Sequence, residues 1–135
     1  MMATRVRERK SPRQERSKVM VEAILEAASQ VFAELGYARA TTNKIAERAG
    51  VSVGSLYQYF PNKQAIVRQI WENYTTVIDE VLAAELEKLQ SRPDEQTAVL
   101  VVDRIVDTLV EYNRSNPAFA EIKRCVDATP ELRRL

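Results

Sequence analysis

The chain has 135 residues, of which 45% are apolar and 29% are charged, a balance typical of a globular domain that buries a core. It contains no histidine and a single cysteine, Cys125, which excludes histidine-based triads, zinc sites built from cysteine and histidine, and an internal disulfide. Its longest apolar run, residues 98–102, is far shorter than the ~20 residues that a membrane-spanning helix needs. We therefore expect a cytoplasmic protein with no membrane partner, no catalytic residues, no metal and no cofactor.

Charge divides the chain into a basic half and an acidic half. Residues 1–68 carry 12 Lys and Arg against 6 Asp and Glu, a net charge of +6, whereas residues 69–135 carry 8 against 13, a net charge of −5. The basic residues are densest near the N-terminus, at Arg5, Arg7, Arg9, Lys10, Arg13, Arg16 and Lys18. Such a run is either a solvated tail or an arm that binds a polyanion, and the rest of the sequence has to show which interpretation applies.

The first half of the chain predicts one long and two short helices. Apolar residues recur at helical spacing from Met20 and predict a first helix that ends at Gly36, a candidate left-handed cap. Two short helices follow, over residues 42–49 and 53–59, with Gly50 between them. No segment shows the alternation of a strand.

The second half predicts three further helices and the start of a fourth. Asn62 is the expected cap of a long helix that runs to about Leu89, and another buried helix is predicted over residues 97–113. The Asn-Pro pair at 116–117 supplies a cap and a first-turn proline for the next helix. The Thr-Pro pair at 129–130 repeats that signal, so we expect a seventh helix to begin there in a fragment of a longer protein.

The two short helices and their connection have the features of a helix-turn-helix. Gly50 permits a sharp reversal after the first helix, and Val51 is the apolar residue that pins the two helices together. Ala46 allows close helix contact, and a small core against the first long helix is predicted from Ile45, Ala49, Val51, Leu56 and Phe60. The second short helix leaves small and hydrogen-bonding groups outside, and such groups suit a close approach to base edges and phosphates.

A dense set of motif residues lies between positions 36 and 63. They are Gly36-Tyr37, Thr41-Thr42, Ile45-Ala46, Ala49-Gly50-Val51-Ser52, Gly54, Leu56-Tyr57, Tyr59-Phe60 and Asn62-Lys63. With their surroundings, about residues 15–68, they closely resemble the DNA-binding domain of the TetR/AcrR family of bacterial transcriptional regulators. The resemblance implies an all-α fold with a three-helix N-terminal helix-turn-helix domain, a long linking helix and part of a helical bundle.

The resemblance also implies a domain division and a function. Residues 15–62 would be the helix-turn-helix DNA-binding domain behind a basic arm, residues 1–14, and residues 63–135 an incomplete effector and dimerisation domain. The implied function is a transcriptional regulator that binds double-stranded DNA, namely a ligand-responsive repressor that binds a palindromic operator. The full-length protein would be a homodimer with a small-molecule effector.

Site residues follow from the same resemblance, position by position. The implied phosphate contacts are Thr42, Tyr57, Tyr59 and Lys63, and the implied base-facing residues are Asn43, Ser52, Val53, Gly54 and Ser55. Val53 departs from the polar or basic residue that family members often carry, and it offers only apolar contact. The aromatic residues that would line an effector pocket are Trp71, Tyr74, Tyr112 and Phe119, although aromatic residues at helical spacing also fill cores.

Two other functions remain open at this point. A helical interaction module whose basic N-terminal arm binds an acidic partner would explain the charge division but not the two short helices around Gly50. An enzyme would have to use the carboxylates Asp103, Asp107 and Glu111, which share a helix face. No metal-binding partners or nucleophile accompany them, so a solvated stripe accounts for them better.

Overall fold

The computed structural model describes residues 11–134, and this part of the chain forms six α-helices and no strand. The helices are α1 (Pro12–Leu35), α2 (Thr42–Ala49), α3 (Val53–Tyr59), α4 (Lys63–Ser91), α5 (Glu95–Ser115) and α6 (Ala118–Ala128). The all-α expectation is confirmed, and α2 and α3 have the predicted bounds. Within the same range no helix combines the length and the apolar character needed to cross a membrane. Most of the predicted basic arm, residues 1–10, lies outside the described residues.

Helix α1 begins at Pro12, earlier than the predicted start at Met20. A capping box holds this end, because the Ser11 N–H donates to Oε1 of Gln14 at 2.9 Å and the Gln14 N–H donates to Oγ of Ser11 at 3.3 Å. The prediction was wrong because it relied on apolar spacing, whereas residues 11–16 are exposed and polar. The predicted border between arm and domain, at residues 14 and 15, therefore falls within the first turn of α1.

One apolar stripe of α1 organises the core. Its buried side chains are Ile24, Ala27, Ala28, Val31 and Phe32. The other members of this core are Ala40, Ile45, Ala46, Leu56, Phe60, Ile66, Val67, Ile122, Val126 and Leu132. The predicted helix-turn-helix core is confirmed, with Ala49 and Val51 packed against it in partly buried positions. Because α6 returns to pack on α1, the core also includes residues from beyond the predicted domain border at residue 63.

The turn between α2 and α3 has the predicted glycine geometry. Gly50 has φ +72° and ψ +28°, which is the left-handed region, and the Val51 N–H donates to the carbonyl of Ala46 at 3.0 Å. Ser52 then caps α3, since its Oγ accepts from the Ser55 N–H at 3.0 Å. These local bonds set the angle between the two short helices.

Three predictions in the second half of the chain need correction. Helix α5 starts before residue 97 because Asp94 caps it, with Oδ1 accepting from the Thr97 N–H at 2.8 Å. Asn116 does not cap α6; its Nδ2 donates to the carbonyl of Tyr112 at 2.9 Å and closes the end of α5 instead. No seventh helix follows residue 129 in the described residues, where the chain forms turns that bury Leu132 in the core.

Gly36 and Gly50 both have positive φ, but they occupy different regions. Gly36 has φ +75° and ψ +167°, a conformation that is essentially restricted to glycine, so the expected left-handed cap is wrong at this residue. A Cβ at Gly36 would lie 3.5 Å from Oε1 of Glu121, whereas nothing lies within 4 Å of a Cβ at Gly50.

Alanine at each glycine should therefore destabilise the protein to different extents. We expect Gly50→Ala to lower the free energy of unfolding by about 1 kcal/mol and Gly36→Ala by about 2 to 3 kcal/mol, measured by urea denaturation. Gly50→Asn serves as a control and should be milder than Gly50→Ala, because asparagine tolerates the left-handed region. Equal losses for the two alanine variants would contradict this interpretation.

Candidate nucleic-acid interface

The start of α2 and the outer side of α3 meet at a pair of hydroxyl groups. Oγ1 of Thr42 lies 2.9 Å from the Tyr57 hydroxyl, and either group can be the donor. Tyr57 is 48% exposed, and the neighbouring Asn43 is exposed as well. Because one hydroxyl proton is used within the pair, the other remains available to a phosphate oxygen. The structure thus brings together two of the implied phosphate contacts and one implied base contact.

The first turn of α3 presents a surface of small side chains beside this hydroxyl pair. Ser52 Oγ donates to Ser55 Oγ at 2.9 Å, so the two serines are tied to each other. Gly54 is exposed, and a Cβ there would meet only the Ser52 hydroxyl, at 4.0 Å. Val53 is the exception, since it is partly buried and packs against the core. The contact of Val53 with a base stays a prediction, and only the exposed part of its side chain could make that contact.

Tyr59 and Lys63 do not join the exposed surface. The Tyr59 hydroxyl points towards α1 and donates to Ser17 Oγ at 3.4 Å. Nζ of Lys63 donates to the carbonyls of Tyr37 and Ala40 at 2.7 and 3.1 Å and lies 4.2 Å from the centre of the Tyr37 ring. Burial lowers the pKa of Lys63 from its ordinary value. The phosphate contacts of these two residues stay predictions, and Lys63 would have to leave both carbonyls to make one.

An exposed ion pair that the sequence analysis missed joins α2 to α1. The two guanidinium nitrogens of Arg48 donate to the two carboxylate oxygens of Glu34 at 2.9 and 2.7 Å, and one of them also lies 3.4 Å from Oε1 of Gln30. This hydrogen-bonded contact lowers the pKa of Glu34. The one available signal was a cation in the last turn of α2, and nothing in the sequence points from it to a partner on another helix.

The four aromatic residues predicted to line an effector pocket contact one another. The Phe119 ring lies 3.7 Å from the Tyr74 ring and 5.8 Å from the Trp71 ring, between centroids, and both pairs are stacked. Tyr112 meets Phe119 edge-on at 6.1 Å. Phe119 and Tyr112 also line a cleft of about 460 Å³ between α1, α5 and α6, whereas Trp71 and Tyr74 do not line it. Ligand binding by these residues stays a prediction.

The fold and this surface define a helix-turn-helix domain. A family model described as "Bacterial regulatory proteins, tetR family" matches residues 24–70. Over these residues, which include α2 and α3, the chain carries the N-terminal domain of the TetR family of bacterial regulatory proteins.

Individual relatives extend this comparison. The nucleoid occlusion factor SlmA of Haemophilus ducreyi is 33% identical over 93 residues, which is 66% of this chain and 41% of that protein. The fatty acid metabolism regulator protein of Bacillus subtilis is 42% identical over 60 residues, 44% of this chain and 30% of that protein. The fatty acid degradation regulator FadR of Bacillus halodurans has the same fold, with a TM-score of 0.68 at 23% identity over 93% of this chain and 60% of that one. The chain thus spans less than half the length of the two sequence relatives.

The Arg48–Glu34 ion pair should make stability depend on pH. Because the pKa of Glu34 lies below its ordinary value of 4.5 in the folded chain, the pair stabilises the fold above that value and is lost as the pH falls through the lowered pKa. The difference in free energy of unfolding between the native chain and Glu34→Gln should therefore shrink between about pH 6 and about pH 3. Urea denaturation at several pH values measures it.

Glu26→Gln is the matched control for this experiment. Glu26 is an exposed carboxylate on the same helix, and it has no ion-pair partner within residues 11–134. A stability difference for Glu34→Gln that stays constant with pH, or that merely equals the difference for Glu26→Gln, would show that the ion pair contributes nothing.

Proposed function

We propose that this chain is the DNA-binding part of a transcriptional regulator that binds double-stranded operator DNA. The observation that carries the proposal is the Thr42–Tyr57 hydroxyl pair, exposed beside the low first turn of α3. A short recognition helix without bulky side chains in its first turn can approach base edges closely, and hydroxyls at its border can bind phosphates.

The charge distribution supports a nucleic acid as the partner. The half of the chain that contains the helix-turn-helix has a net charge of +6, and the other half has a net charge of −5. A polyanion is therefore attracted to the half of the chain that contains α3 and repelled by the other half. The competing proposal, a basic arm that binds an acidic partner, accounts for the charge but gives no role to the hydroxyl pair.

The longer protein would act in the cytoplasm as a ligand-responsive repressor and a homodimer on a palindromic operator. A recognition helix of 7 residues reads only a few base pairs, so useful affinity requires a second copy about one DNA turn, ~34 to 36 Å, away. Residues 63–135 would contribute to the effector and dimerisation domain, with a small molecule as effector. Catalysis has no part in this proposal.

DNA affinity should fall steeply with salt. Each phosphate that the basic half neutralises releases counterions, so about 6 to 10 contacts predict a slope of roughly −5 to −9 in log affinity against log salt concentration. Fluorescence anisotropy with labelled duplexes measures this slope. Affinity that is independent of salt, or no binding to any duplex at low salt, would overturn the proposed function.

Tyr57→Phe should separate DNA binding from folding. The substitution removes one exposed hydroxyl and keeps the ring, so we expect an unchanged melting temperature and a several-fold loss of DNA affinity in the same anisotropy assay. Tyr74→Phe is the matched control, because its ring lies in the aromatic cluster away from α3, and it should leave DNA affinity unchanged. A loss of stability with intact DNA affinity would assign Tyr57 to the fold instead.

A further inference from the structure

The cleft between α1, α5 and α6 has a floor that can take an apolar group. Ile70 of α4 and Phe119 and Ile122 of α6 line it, and Tyr112 of α5 stands at its side. Its volume of about 460 Å³ is within the range of small-molecule sites, which is ~300 to 1,000 Å³. An apolar floor of this size favours a ligand with an aromatic or branched aliphatic group.

The wall that α1 contributes is acidic. Glu26, Gln30 and Glu34 lie on one face of that helix and border the cleft, and no lysine or arginine lines it. Glu26 has no ion-pair partner in residues 11–134, whereas Glu34 is bound by Arg48. An anionic ligand would lie against two carboxylates, but a cation would be attracted to them and to the faces of the aromatic rings.

We propose that this cleft binds a small organic cation with an apolar group, and that the bound cation competes with Arg48 for Glu34. The effect of this competition on DNA binding rests on the proposed function. Glu34 and Gln30 are the acceptors that hold Arg48, and both also border the cleft. A positive charge placed between Glu26 and Glu34 therefore weakens the bond between α2 and α1.

Helix α2 connects the Arg48–Glu34 ion pair to the proposed DNA-binding surface. Arg48 lies in the last turn of α2, and Thr42 at the first turn of the same helix pairs with Tyr57 of α3. Since Arg48 and Thr42 lie within about two turns of one short helix, a change in how its C-terminal end is held is expected to shift Thr42 relative to α3. Cation binding is thus expected to lower DNA affinity.

Three probes of one shape and different charge test the ligand class: 4-tert-butylbenzylamine, 4-tert-butylbenzyl alcohol and 4-tert-butylbenzoate. Trp71 is the single tryptophan and stacks on Phe119, so its fluorescence reports occupancy of the cleft, with titration calorimetry as a second measurement. We expect saturable binding of the amine, at least tenfold weaker binding of the alcohol and no binding of the benzoate. Equal affinity for all three, or no binding of the amine, would overturn the proposal.

Variants test the competition. Glu26→Gln should weaken amine binding several-fold and leave DNA affinity unchanged, because Glu26 does not contact Arg48. Arg48→Gln should strengthen amine binding, because it frees Glu34, an effect that mere loosening of the fold would not produce. If Arg48→Gln fails to fold by circular dichroism, Glu34→Gln takes its place and should weaken amine binding at least as much as Glu26→Gln does. Unchanged amine binding in these variants would refute the assigned carboxylates.

A final titration separates this inference from the proposed function. Saturating amine should weaken DNA binding of the native chain several-fold in the anisotropy assay, and the benzoate should not. Amine that binds without any effect on DNA affinity overturns the coupling. If the chain binds no duplex at all, the proposed function fails, while the fluorescence titration still decides whether the cleft takes a cation.

Discussion

The burial of one face of α1 is the constraint on which the rest of the structure depends. Phe32 and Ile24 are completely buried, and the other core helices pack against this stripe with side chains such as Ile45, Leu56 and Ile122. Helices of 7 and 8 residues are not stable alone in water, so α2 and α3 are stabilised by this packing and by their caps. The apolar face of α1 thus determines where the proposed DNA-binding surface forms.

A second consequence is that α6 and the helix-turn-helix share one support. Ile122 and Val126 lie in the same core as Ile45, and the Glu121 carboxylate lies close to Gly36 at the end of α1. Cys125 is buried at this junction, and burial raises the pKa of its thiol, so it packs as an apolar side chain and not as a reactive group. Any rearrangement of α6 therefore acts on the surface onto which α2 docks.

The sequence predicted those parts of the structure that depend on local signals. The bounds of α2 and α3 follow from Thr41, Ser52 and Gly50, because caps and left-handed glycines act over a few residues. The start of α1 was missed because a capping box can begin a helix before its apolar face does. The inward orientation of Lys63, the Arg48–Glu34 pair and the docking of α6 on α1 all join residues far apart in sequence. A single amino-acid sequence read alone carries no signal for such contacts.

The distribution of buried residues also explains why the cleft is better placed to influence the proposed DNA-binding surface than the far end of the α4–α5 hairpin is. Ile66 and Val67, at the start of α4, belong to the core around α1, whereas beyond them α4 buries only Glu85 and α5 only Val101. Changes at the distal end of the hairpin meet few packed neighbours through which to act. The cleft, by contrast, is bordered by α1 itself, including Glu34. Because Arg48 of α2 donates to Glu34, one ion pair connects the border of the cleft to α2.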